Sequence, residues 1–147
     1  MRRAVLLLLC ATLAGCGSSG PKRLSKHEYA RRADAICAFY QRLTAAFGTP
    51  SNTRQLARVA GRTLHALDTA IAGLRRLRPP ASEHALAEQW LASLSTLRRD
   101  VVHLRDRARA NDLAGIRRLV APAQRHDRTS ARLAARLGMV VCSKEAG

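Results

Sequence analysis

The chain has 147 residues, with 26 lysines and arginines against 10 acidic residues, a formal net charge of +16 and only 3% aromatic residues. That length suits one domain with one core, and its wealth of alanine and leucine favours helices over sheets. With no Gly-rich loop after a strand, no Gly-x-Ser-x-Gly elbow and no Cys-x-x-Cys-His, the sequence offers no phosphate loop, hydrolase elbow or covalent haem site.

The N-terminus reads as a secretory leader. Arg2 and Arg3 make a positive region, and Ala4 to Leu13 an apolar run. That run is about half of the ~20 residues a spanning helix needs. Leu13-Ala14-Gly15-Cys16 follows, and then Gly17-Ser18-Ser19-Gly20-Pro21. The arrangement resembles the lipobox of bacterial lipoproteins. The resemblance implies cleavage before Cys16 and a diacylglyceryl group on its sulfur, with the new amine open to acylation by a chain such as palmitate. It also implies residence at the extracytoplasmic face of the cell membrane. One acyl chain binds only reversibly, at about 0.8 kcal/mol per buried CH₂, whereas two or three hold a protein permanently. The expected organisation is a signal peptide over 1–15, a lipidated cysteine with a flexible tether over 16–24, and a helical domain over 25–147.

Cys10 is lost with such a leader. If Cys16 carries lipid, Cys37 and Cys142 remain as an even pair in an oxidising compartment, which reads as a disulfide. A loop of ~100 residues gives such a bond about 4–5 kcal/mol in the loop-entropy model. Two thiols without a nearby histidine or third cysteine make a poor zinc site, so no metal or cofactor is expected.

A first helix starts at Ser25, where Ser25 and Glu28 suggest a capping box and Leu24 and Tyr29 a hydrophobic staple. Tyr29, Ala33, Ile36, Tyr40, Leu43 and Phe47 form its apolar stripe, with Cys37 beside it, and Gly48 and Pro50 end it. A second helix runs from about Thr53 to Leu77 on a seam that includes Leu56, Ala60, Thr63, Leu67, Ala70 and Leu74. Pro79-Pro80 stops it. Ser82 is the expected cap of a third helix bearing Ala87, Trp90, Leu94, Leu97, Val101, Leu104 and Ala108.

Asn111-Asp112 turns the chain and caps a fourth helix from Leu113, which Pro122 is expected to kink or break. Gly138 suits a left-handed terminator, after which Val140-Val141-Cys142 runs as an extended strap toward the first helix. Short connections favour antiparallel neighbours, so the expected fold is an all-α, up-down four-helix bundle about 38 Å long.

His126 falls where the fourth helix expects a buried side chain. A buried imidazole needs partners, and Tyr40, Thr63 and Asp127 are candidates. With Ser130 and Trp90 they could form a small polar ligand pocket, but a partly buried histidine near the helix irregularity after Pro122 is the favoured reading, because no second convergent group stands beside it. His84 with Glu88, His65 with Asp68, and Asp100 with His103 have helical ligand spacing. They fall mostly outside the seams and read as solvated faces. No catalytic constellation emerges, and no enzyme is expected.

Arginine stripes are the remaining feature. Arg54, Arg58 and Arg62 sit four apart on the second helix, and Arg125, Arg128, Arg132 and Arg136 follow one side of the fourth. Their field favours anionic partners, and for an exported chain those are lipid head groups or acidic wall polymers. The export signal and the lack of basic runs interleaved with exposed aromatics argue against nucleic acid.

Leu24-Ser25-Lys26-His27-Glu28-Tyr29, Ala33-Asp34-Ala35-Ile36-Cys37, Leu77-Arg78-Pro79-Pro80 and Leu137-Gly138-Met139-Val140-Val141-Cys142 resemble small helical lipoproteins of GC-rich actinobacteria. That resemblance carries no activity. The expected function is a membrane-tethered binding or structural module of the cell envelope, anchored through Cys16, with a basic surface. The alternative is a small-ligand-binding or sensor-accessory protein with its pocket near His126.

Overall fold

Four side-chain or glycine signals set the helix ends. Ser25 accepts a hydrogen bond from the Glu28 N–H at 3.2 Å and starts α1 (Lys26–Ala45). Asn52 accepts from the Gln55 N–H at 2.9 Å and starts α2 (Thr53–Arg76). Asp112 accepts from the Gly115 N–H at 2.7 Å and starts α4 (Leu113–Arg136). Each satisfies an N–H that the first helical turn leaves without a partner. Gly138, at φ +82°, ends the helical C-terminus in the left-handed region where a side chain would be strained. These features belong to a computed structural model that describes residues 22–145. The leader, Cys16 and most of the tether lie outside the described residues.

Two expected caps differ. The Glu28 carboxylate does not reach back to Ser25 but binds the Arg31 and Arg32 guanidinium groups, leaving half a capping box. Ser82 lies inside a 3₁₀ turn (Ala81–Glu83), and α3 (His84–Arg109) begins at Glu83 with no side-chain cap. The 3₁₀ turn itself feeds the chain from Pro79-Pro80 into the helix. The break expected at Pro122 is also absent, since α4 runs through it. Pro122 removes the usual partner of the Arg118 carbonyl, and Arg118 is exposed, which leaves that turn of the helix open to solvent.

Consecutive helices run antiparallel. The start of α2 meets the end of α3 at Thr53–Asn111, while Asp68 meets Arg98. Arg107 meets Asp112 at the α3–α4 turn, while Asp100 meets His126. Leu24 before α1 meets Arg78 after α2, while Phe47 after α1 meets Arg62. α2 packs broadly on α3, and α3 on α4, whereas α1 packs on α2 more sparingly. The result is the expected all-helical bundle, though α1 is its least embedded member. No described helix is long and apolar enough to cross a membrane.

The core gathers around the single tryptophan. Trp90 and Tyr29 are fully buried beside Leu74, Leu137 and Met139. Ala33, Ala87 and Ala134, all essentially inaccessible, let the backbones close around the two large rings. Burial, with the Glu88 charge as a lesser cause, pushes the Tyr29 phenol up to about 12. All four helices contribute to this cluster, but only at the end where α1 begins and α4 finishes.

That end is stapled. Cys37 and Cys142 form a disulfide with a Cα–Cα distance of 5.4 Å, closing a sequence separation of 105. The Asp34 carboxylate, one turn earlier on α1, accepts the backbone N–H groups of Val140, Val141 and Cys142 at 2.8, 2.8 and 2.9 Å. Gln41 donates to the Val141 carbonyl from the next turn. The strap is therefore not extended as expected. It is bent, because three consecutive N–H groups must converge on one side chain.

Asp34→Asn removes the charge from these three bonds. It is expected to cost about 2–3 kcal/mol in urea unfolding, with exchange protection lost first at the 140–142 amides. The Arg31 and Arg32 hydrogen bonds lower Glu28 from 4.5 to about 2. A depressed folded value means the contribution is complete above pH 4.5 and disappears as pH falls toward about 2. Acid titration of the melting temperature is expected to show a loss in that window that Glu28→Gln reduces.

Candidate functional site: an arginine-rimmed groove

α1 has 20 residues and α2 has 24, so α1 ends before α2 is fully covered. Residues 46–52 then descend to the start of α2. The uncovered stretch forms an open groove of about 1060 Å³. Leu43 and Phe47 make its α1 wall, and Ala57, Gly61 and Ala66 of α2 its floor. Arg54, Arg58, Arg62 and His65 edge it from α2, and Arg109 from the end of α3. A second concavity of about 870 Å³ shares Arg54, Ala57, Arg58 and Arg109, and continues past Asn52, Thr53 and Asn111. The apolar section thus meets a polar section at three guanidinium-bearing side chains.

The charge at this place is one-sided. Among the described residues no carboxylate lines either section. Arg54 and Arg58 are exposed and make no ion pair among the described residues. Arg109 only approaches Asp106, at 3.9 Å, and that carboxylate is already taken by Arg105 at 2.9 Å. The Arg105 hydrogen bond accordingly holds Asp106 below the usual carboxylate range. Arg62 differs from its two neighbours. It donates to the Phe47 carbonyl at 3.0 Å and lies 4.6 Å from the Phe47 ring centre, fixing the loop wall.

The α4 stripe lies elsewhere. α4 packs on α3 and not broadly on α2, so the two stripes occupy non-neighbouring helices. Arg125, Arg128, Arg132 and Arg136 are exposed there, and neither concavity touches them. Arg132 donates to Thr129 at 3.3 Å. Of the two stripes, only that of α2 borders these concavities.

The candidate pocket around His126 takes a different form. The His126 side chain is 42% exposed, and its Nδ1 lies 2.7 Å from Asp100 Oδ2 on α3. The helical spacing that suggested burial missed this partner because Asp100 comes from another helix. Ser130 is buried, Trp90 belongs to the stapled core, Tyr40 is half-buried, and Thr63 is half-buried on α2. Desolvation raises Tyr40, with the charge of Asp127 adding to it. None of these five residues lines either concavity.

The histidine–acid pairs found by spacing are also separated in use. Asp68 is held by Arg98, and Asp100 by His126. Among the described residues no three histidine, cysteine or acidic side chains gather in a metal-binding group. Comparison with family models, curated proteins and solved structures finds no match to this chain.

Because Arg54 and Arg58 hold nothing within the fold, Arg54→Ala and Arg58→Ala are expected to change unfolding free energy by less than about 0.5 kcal/mol. Arg62→Ala is expected to cost about 1 kcal/mol in the same urea titration, since it leaves the Phe47 carbonyl and ring without their partner.

Proposed function

We infer that this protein is a lipid-anchored module of the cell envelope that binds anionic partners through the α2 flank. The carrying observation is the pair of exposed, unneutralised arginines, Arg54 and Arg58, beside a groove without a carboxylate. Fixed positive charge that no internal acid neutralises favours an external anion. Each such side chain contributes about 1 kcal/mol of attraction to an anionic membrane surface.

The path of the chain supports a domain lying along the membrane. The Leu24 N–H donates to the Arg78 carbonyl at 2.9 Å, and Arg23 donates to the Pro79 carbonyl at 3.3 Å. The tether therefore joins the bundle where α2 ends. The groove arginines of α2 lie toward its other end, with Arg62 about 21 Å along the helix from its last residue, Arg76. An upright domain would hold them away from the anchoring membrane, whereas a domain lying on its side would bring the whole α2 flank down to it. With Arg23 and Leu24 held by the bundle, a tether over 17–22 reaches at most about 21 Å, which permits that posture. The reading in which a small ligand binds at His126 has less support, because the ring is engaged by Asp100 and lines neither of the two concavities described above.

Two measurements test the reading. Mass spectrometry of the membrane-extracted protein is expected to find an acylated N-terminal Cys16; an unmodified residue there contradicts the anchor. A mature-length chain carrying Cys16→Ser is expected to bind phosphatidylglycerol vesicles in a salt-sensitive way and to ignore phosphatidylcholine vesicles. The double substitution Arg54→Ala/Arg58→Ala is expected to weaken that binding about 30-fold. Binding indifferent to salt and to lipid charge contradicts the basic flank.

A further inference from the structure

Gly61 is out of place on the demands of the fold. A glycine inside a helix destabilises it relative to alanine. The other described glycines have visible reasons: Gly48 and Gly138 occupy positive φ, at +75° and +82°. At Gly73 a Cβ would press on Ile36 of α1 at 3.3 Å, and at Gly115 it would collide with the capping Asp112 carboxylate. At Gly61 a Cβ would meet nothing within 4 Å. The bundle does not need the space above Gly61, yet the sequence keeps it clear in the floor of the groove.

We propose that this groove takes one acyl chain of an anionic phospholipid, with its phosphate at Arg54, Arg58 and Arg109. The proposal rests on the reading of α2 as the membrane-facing flank and names the ligand of that flank. Leu43, Phe47, Ala57, Gly61 and Ala66 supply an apolar channel with no acid in it. Leu43 is 39% exposed, and Phe39, one turn earlier on α1, is 56% exposed, so apolar surface leads up to the channel from outside. From Ala57 to Ala66 the apolar floor of the groove runs about 14 Å along α2. One leaflet of a bilayer core is about 15 Å deep, so the floor nearly matches an acyl chain of membrane length.

The three arginines common to both concavities stand where a phosphate between chain and head group would lie. Guanidinium groups bind phosphate oxygens through paired N–H donors. Asn52, Thr53 and Asn111 then line the polar section that receives the rest of the head group. The first turn of α2 contains no acidic residue that would repel it. An acidic wall polymer would match the arginines but leave the apolar channel unused, which is why the lipid is favoured.

The test uses the mature-length Cys16→Ser chain and a photoreactive phosphatidylglycerol with a diazirine in its acyl chain. Cross-links are expected in the peptides holding Leu43, Phe47 and Gly61. Gly61→Leu fills the channel and keeps every arginine. It is expected to lower cross-linking at least fivefold, with sedimentation on phosphatidylglycerol vesicles within twofold of the parent. Leu43→Lys, at an exposed position, is expected to act alike and serves as the second variant should Gly61→Leu fail to fold. Cross-links spread over the surface, or yields unchanged by both variants, overturn the groove while vesicle binding keeps the basic-flank reading. Loss of vesicle binding in the parent chain overturns both. Displacement of the photolipid by soluble polyglutamate as readily as by unlabelled phosphatidylglycerol also overturns the proposal, because it would mark a site for charge alone.

Discussion

The position of α1 depends on one carboxylate and one sulfur bridge. α2, α3 and α4 pack broadly on their neighbours, whereas α1 lies across α2 with fewer contacts and buries only residues of its first half. The C-terminal strap supplies what packing does not. Asp34 collects three backbone N–H groups from residues 140–142, and Cys37–Cys142 makes the junction covalent. Held there, α1 keeps Tyr29 and Ala33 against Trp90 and presents Leu43 at the far end, where its cover of α2 runs out. Core and groove are thus opposite ends of one fixed helix.

The two ends show a division of labour. At the stapled end, alanines close around two aromatic rings, and the Asp34 carboxylate of α1 is spent on the backbone N–H groups of the strap. At the other end the aromatic ring is Phe47, held by Arg62 instead of buried, and Arg54 and Arg58 make no ion pair among the described residues. Stability concentrates where ligands have no access, and charge concentrates where packing is thin. Binding surfaces tend to come from such weakly packed regions.

Much of the architecture was legible in the residues. Ser25, Asp112, Pro79-Pro80 and Gly138 mark helix ends through local chemistry that needs no tertiary information, and the structure places ends there. The Cys37–Cys142 pairing followed from counting the thiols left by a lipidated Cys16, and the same bond is present. Periodicity failed where a partner comes from another element. Asp34 drew no reading of its own from the sequence, since its three donors lie over a hundred residues away. His126 fell on the buried spacing, yet Asp100 draws its ring to the edge of α3 and α4. Pro122 carried a local signal for a break that solvent access to Arg118 makes unnecessary. The groove was illegible because it follows from α1 being shorter than α2. Gly61 was its one visible trace, a glycine in mid-helix with no turn to make.

Hydrogen exchange on the mature-length chain, read with and without a disulfide reductant at neutral pH, tests most directly whether the strap fixes α1. Reduction is expected to release the amides of residues 34–45 to fast exchange, together with those of 140–142, while α2, α3 and α4 stay protected. Full protection of α1 after reduction, or loss of protection across all four helices at once, would contradict a helix held chiefly by its strap.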